Sequence, residues 1–218
     1  MERDFVFDPS LVLSLPLWKL DGAKIRSEDA YGHLCTAYGA LWRPAGRWFD
    51  GINDYIGIPS SVIQLNFTSE NFSIIARVYV NTFPGHVCIF NRGLWNTDGY
   101  KFLILSTGEL RVETSQAAAN QASESSAGVI ATGRHCTIGM SRTGASVRLY
   151  KNGEDVTSTE GVHINPKTSG RTAAIGIASD LTSQPFNGGI REFLVFSKSL
   201  IAGDHMRFHQ ILKWGGDS

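Results

Sequence analysis

Phe186–Leu200, FNGGIREFLVFSKSL, is the most informative stretch of the chain. From Ile190 the apolar residues Ile190, Phe193, Val195 and Phe196 alternate with Arg191, Glu192 and Ser197, which predicts a late β-strand with one buried face and an irregularity near Leu194. Asn187-Gly188-Gly189 ahead of it adopt positive φ at low cost, so the chain can turn sharply into the strand. Beyond it, Ser197 or Ser199 is placed to cap a short turn or helix running through Ile201, Met206 and Phe208 towards Ile211.

Working outward, the same period of two recurs along the chain. Phe72–Val80, FSIIARVYV, puts Phe72, Ile74, Ala76, Val78 and Val80 on one face. Leu11, Leu13 and Leu15 predict an early strand, ended by Pro16 and Asp21-Gly22. One short strand is expected over Cys35–Trp42, and two more flank the Asp50-Gly51 turn, through Trp48-Phe49 and through Tyr55, Ile56 and Ile58. Val87–Asn91 is a further short strand, and Tyr100–Ser106 pairs with Gly108–Ser115 across Ser106-Thr107-Gly108. His135–Ser141 and Ser146–Val156 form a hairpin-like pair, the second carrying the strong turn signal Asn152-Gly153, and Arg171–Ala178 is the last strand before the opening stretch. Gln116–Gly128 is nearly devoid of large apolar groups and is expected to be a surface loop. About eleven to thirteen short strands without a repeat or a long helix imply an all-β, two-sheet antiparallel β-sandwich of jelly-roll type.

At 218 residues the chain is expected to be a single domain over 1–218. Twenty basic residues balance twenty acidic ones, which removes the electrostatic basis for nucleic acid or an anionic membrane. Twenty-three glycines against seven prolines indicate tight turns. Three scattered cysteines, Cys35, Cys88 and Cys136, argue against a disulfide framework and for buried thiols. The N-terminus lacks a basic segment and small-residue cleavage site, and no window is apolar enough to span a membrane, so a soluble chain is expected.

The order of motifs resembles the laminin G-like and pentraxin-like branch of the concanavalin A-like lectin/glucanase superfamily. The closing pattern falls on Phe186, Gly188, Ile190, Phe196, Leu200 and the turn around Asp204; the opening one falls on Phe49, Asp50, Gly51, Asn53, Asp54 and Tyr55. Val78-Tyr79-Val80-Asn81 and Arg148–Glu154, RLYKNGE, match further strands, so the resemblance runs from Trp48 to Gln210 as core motifs 48–210.

The resemblance implies calcium on loops at one end of the sandwich. Position by position, the loops are Asn96-Thr97-Asp98 and Ala178-Ser179-Asp180. Asp98 and Asp180 match, while Ala178 and Ser179 replace the family's Glu and Gln. Hard carboxylate and amide oxygens suit this ion, and Asp50, Asn53 and Asp54 are a second candidate set whose other reading is an Asx turn. Trp95, beside Asn96 and Asp98 in a Gly-flanked loop, is the candidate for stacking on a sugar, with Asp180 from the second loop; Trp18, Trp42 and Trp48 are expected in the core. The carboxylate array of the glycosidases in this superfamily is missing: Glu109 and Glu113 lie four apart on what reads as a solvated strand face. His205 and His209 share one face of the terminal helix and read as exposed polar residues rather than a metal pair.

The expected function is therefore a non-catalytic binding module for a glycan or a cell-surface or virion protein, with calcium as the one implied cofactor. The resemblance also admits an adhesin or virion component released by lysis. The rival is a structural, decoration or assembly subunit that forms a homo-oligomer through the Gln116–Gly128 segment, the first strand and the apolar C-terminal ILKW.

Overall fold

The computed structural model describes residues 4–213; Trp214 of the ILKW segment lies outside them. β1 (Leu11–Pro16) enters a first sheet, and β2 (Lys24–Arg26) with β3 (Leu34–Tyr38) a second. β4 (Leu41–Arg43) and β5 (Gly46–Asp50) return to the first sheet, and β6 (Tyr55–Ile58) to the second. β7 (Phe72–Val80) crosses the middle of the first sheet, whereas β8 (Val87–Arg92), β9 (Tyr100–Ile104), β10 (Leu110–Gln116) and β11 (Ala119–Ser125) lie side by side in the second. β12 (His135–Thr143), β13 (Ser146–Lys151) and β14 (Glu154–Asp155) extend the first sheet; β15 (Thr157–Thr159) and β16 (Ala173–Ile175) belong to the second. β17 (Asn187–Phe196) closes the first sheet and leads into α1 (Ala202–Lys213).

The spatial orders are β14-β13-β12-β7-β17-β5-β4, with β1 also on β17, and β15-β11-β10-β9-β8-β16-β6-β3-β2. Every pairing is antiparallel. The result is a two-sheet β-sandwich, as expected. Phe72, Ile74, Ala76, Val78 and Val80 all face the inter-sheet core, where Phe90 packs on Phe193 at 5.2 Å and Phe67 stacks on Phe72 at 4.6 Å. Burial of each such side chain contributes about 1.5–3 kcal/mol, and together these residues hold the sheets in register.

β17 departs from its expectation in two ways. The register shifts between Ile190 and Glu192, so the bulge sits at Arg191 rather than near Leu194. Beyond it both faces are buried: Phe193 and Val195 point between the sheets, while Leu194 and Phe196 point outward beneath Phe208 and Leu212 of α1 and Phe5. The helix is capped by neither serine. Asp204 Oδ2 accepts the Ile201 amide at 3.1 Å, while Ser197 Oγ donates to Ser10 O and Ser199 Oγ bonds Thr143 Oγ1.

Two further segments are corrected. Cys35–Trp42 is not one strand: β3 and β4 lie in different sheets, and the break falls at Gly39, whose φ of +75° and closeness to Asp54 exclude a side chain. Within Gln116–Gly128, Ala119–Ser125 is the strand β11, paired with β10 from Arg111↔Glu124 to Gln116↔Ala119. Its inward positions hold small polar groups instead of large apolar ones: Ser125 Oγ accepts the Leu110 amide and Ser123 Oγ bonds His163.

Candidate functional site

The loop after β8 owes its shape to two glycines. Gly93 and Gly99 have φ of +130° and +69°, and a Cβ on Gly99 would lie 1.6 Å from Arg92 O. Between them the amides of Thr97 and Asp98 donate to Leu94 O, and Asp98 Oδ1 accepts the Leu94 amide at 2.8 Å. Asn96, at φ +58°, donates its amide to Ser115 Oγ and accepts from the Ala118 amide. This closed turn leaves Trp95 57% exposed at its tip. Facing it is a second turn in which Asp180 accepts hydrogen bonds from the Thr182 amide and from the amide and hydroxyl of Ser183. Burial pushes the Asp180 carboxyl up, but the bonds from Ser183 and Thr182 outweigh it and leave it below the ordinary aspartate range.

A cavity of about 290 Å³ opens between these turns, lined by Trp95, Asp180, Gln184, Lys101 and Glu113 among others. Its floor is the outer face of the second sheet, where Lys101 of β9 is in register with Glu113 of β10. Glu113 is therefore not on a solvated face: it is 6% exposed, with Arg111 Nε 2.9 Å from its Oε1 and Lys101 Nζ 3.8 Å from its Oε2. Lys101 Nζ donates to Gln184 Oε1 at 3.2 Å. Glu113 Oε2 has no hydrogen-bond partner within the protein, so a buried acceptor is left unused beside the cavity. Lysine donors, glutamate and glutamine acceptors and one exposed indole face form a set that matches a polyhydroxylated ring.

The structure thus brings Trp95 and Asp180 to one cavity. Asn96 and Asp98 shape the turn that carries Trp95, and neither is among the residues lining the cavity. Lys101 and Gln184 escaped the sequence reading, which takes Glu113 for a solvated residue, although counting outward from the Ser106-Thr107-Gly108 turn places 101 opposite 113.

The carboxylates named for calcium are held by hydrogen bonds within their own turns, Asp98 and Asp180 as described above. Asp50 Oδ1 accepts the amides of Ile52 and Asn53, and Asp54 Oδ2 that of Asp50, in a turn that carries the chain from β5 in one sheet to β6 in the other. Asp54 is buried, which raises its carboxyl pKa and so penalises the charged form that a cation would need. Among the described residues no three His, Cys, Asp or Glu side chains are grouped to hold a metal. His205 and His209 face the first sheet on separate partners, Ser141 Oγ at 2.8 Å and Thr137 Oγ1 at 3.1 Å, and His205 is buried rather than exposed. The three cysteines are free and buried.

Trp18, Trp42 and Trp48, expected in the core, are half-buried outside it. Trp18 Nε1 donates to Glu192 Oε2, Trp42 Nε1 donates to Trp18 O, and Arg43 lies over Trp48 at 4.1 Å. Indoles with an N–H to satisfy sit where one edge meets a polar partner, which the apolar core does not provide.

The family model of the concanavalin A-like lectin/glucanases superfamily, of laminin G type, matches residues 50–204. No curated protein matches the chain in sequence. Among solved structures it is similar to Trypanosoma rangeli sialidase in complex with 2,3-difluorosialic acid, with a TM-score of 0.71 and 14% identity over 96% of this chain and 34% of that one. It is also similar to the botulinum neurotoxin serotype D ligand binding domain in complex with N-acetylneuraminic acid, at TM-score 0.72 and 15% identity over 94% and 51%. A third is the binding domain of botulinum neurotoxin DC in complex with rat synaptotagmin II, at TM-score 0.68 and 18% identity over 94% and 52%. The chain thus spans a third to a half of these proteins, and at such identity the likeness is one of fold.

Proposed function

The chain belongs to the concanavalin A-like lectin/glucanases superfamily, and on that footing we propose that it is a glycan-binding module rather than an enzyme, taking its ligand in the cavity between Trp95 and the Asp180 turn. The observation that carries this reading is an indole more than half exposed over a floor of buried, oppositely charged hydrogen-bonding groups. The apolar face of a sugar stacks on such a ring while its hydroxyls replace water on the lysine and carboxylate. A glycosidase needs one carboxylic acid held protonated by a raised pKa. Here the Asp180 carboxyl is lowered, so it is not placed for that role. The sialic-acid derivatives in two of the similar structures agree with a glycan ligand, as properties of those proteins. On a glycan array the chain is expected to bind and Trp95→Ala to lose binding; a blank array across broad glycan classes would sink the reading.

A protein partner is the second reading, favoured by Phe7 and Ile201, which are 85% and 69% exposed around the N-terminal turn and the start of α1. Rat synaptotagmin II in one similar structure shows that a protein containing this fold also meets protein ligands. Under this reading the chain is an adhesion or assembly subunit. Light scattering that finds only monomer, with no co-purifying partner, would count against it.

A further inference from the structure

The outer face of the first sheet is only partly covered. α1 lies over Ile75, Leu194 and Phe196 at one end, whereas at the other end the register aligns Leu41, Trp48, Gly189, Tyr79 and His135 across β4, β5, β17, β7 and β12. Side chains alternate along each strand, and the neighbours Phe49, Val78, Ile190 and Cys136 point into the core, so this row projects outward. Trp48 and Tyr79 stand 5.9 Å apart, and Tyr79 and His135 5.0 Å apart. Gly189, lying between Trp48 and Tyr79 in the row, has no side chain. The result is a mostly apolar groove of about 240 Å³ floored by Gly189 and walled by these rings and Arg43.

The groove differs from an ordinary exposed apolar patch in its cation. The Arg43 guanidinium lies 4.1 Å from the Trp48 ring centroid, and among the described residues no carboxylate pairs with it. An aromatic wall binds the apolar face of a ring, and a guanidinium fork donates two parallel hydrogen bonds to a carboxylate. We propose that this groove is a second carbohydrate subsite, selective for a pyranose that bears a carboxylate, with Trp48 and Tyr79 stacking on the ring and Arg43 pairing with the acid. Its volume suits one sugar residue better than a peptide or an oligonucleotide, and the neutral overall charge of the chain argues against a polyanion. The groove lies on the opposite sheet from the Trp95 cavity, so either site can fail without the other.

Titration of the full chain with methyl β-glucuronide and with methyl β-glucoside, followed by tryptophan fluorescence and by calorimetry, tests the assignment. The glucuronide is expected to bind at least about tenfold more tightly than the glucoside, because a charge-assisted pair is at stake. Arg43→Gln, a surface change that leaves the fold intact, is expected to abolish that preference. Gly189→Ala, whose Cβ would sit 3.6 Å from Trp48 in ordinary contact, is expected to narrow the floor and weaken both ligands. Equal affinity for the two glycosides overturns the proposal. So does a glucuronide preference that survives Arg43→Gln, or binding that is lost in Trp95→Ala and kept in Trp48→Ala.

Discussion

Lowering the pH from about 7.5 to about 5 is expected to cost the fold several kcal/mol, because His163 and His205 are buried as neutral imidazoles. His205 stacks on Tyr150 at 3.8 Å and bonds Ser141 through Nε2; His163 uses both ring nitrogens, on Thr114 and Ser123. Burial pushes His205 down to about 3, against the pull of Asp155, and pushes His163, with Arg142 beside it, down to about 4. The folded state therefore refuses protons that the unfolded chain accepts from its ordinary value of 6.5 downward. Stability is fully present above that value, falls as pH drops through the window from 6.5 to about 4 and about 3, and levels off below. At about pH 5 each histidine has given up roughly 1.5 pH units at about 1.4 kcal/mol per unit, or about 2 kcal/mol, and the pair about 4 kcal/mol. That is a large part of the roughly 5–15 kcal/mol available to a domain. Urea unfolding at the two pH values measures it directly, and the double variant His163→Gln with His205→Gln should lose most of the pH slope, whatever its absolute stability. A difference below about 1 kcal/mol, or a double variant with the parent slope, would refute the reasoning.

Other expectations follow from the same burial logic. Arg92→Met should destabilise by about 1–3 kcal/mol in urea for each acceptor left without a donor, since the fully buried guanidinium donates to Asn66 Oδ1, Arg171 O and Ser60 O; a total loss under about 1 kcal/mol would contradict it. Cys35 and Cys88, with thiols pushed up to about 12 by burial, and Cys136, pushed up to about 11, should resist a thiol reagent in the native state and label only on unfolding. Rapid labelling of the folded chain would show that the thiols are accessible. Calcium stands as a proposal of the family resemblance that the carboxylate geometry does not favour, so EDTA should leave the melting temperature unchanged, and a lowered melt would restore the ion.

The sandwich is legible in local sequence patterns alone. Phe72–Val80 alternates without interruption, Asn152-Gly153 turns with φ of +52° and +89°, and Phe186–Leu200 carries a glycine entry and an apolar strand, all local signals that period and turn chemistry make legible. The sequence also pointed to Trp95 and Asp180, which the fold brings to one cavity. The tertiary structure decided what lies on each face. Alternation says that two sets of residues point oppositely; it does not say what covers the second set. So the outward Leu194 and Phe196 of β17 turned out to lie under α1, while Trp48 and Tyr79, on the same face, lie open. Likewise β11 looked like a loop because its inward Ser123 bonds to His163 from a distant segment, a partner that no local pattern announces. Glu113 looked solvated until β9 and the Gln184 loop closed over it, because burial is set by contacts between residues far apart in the chain.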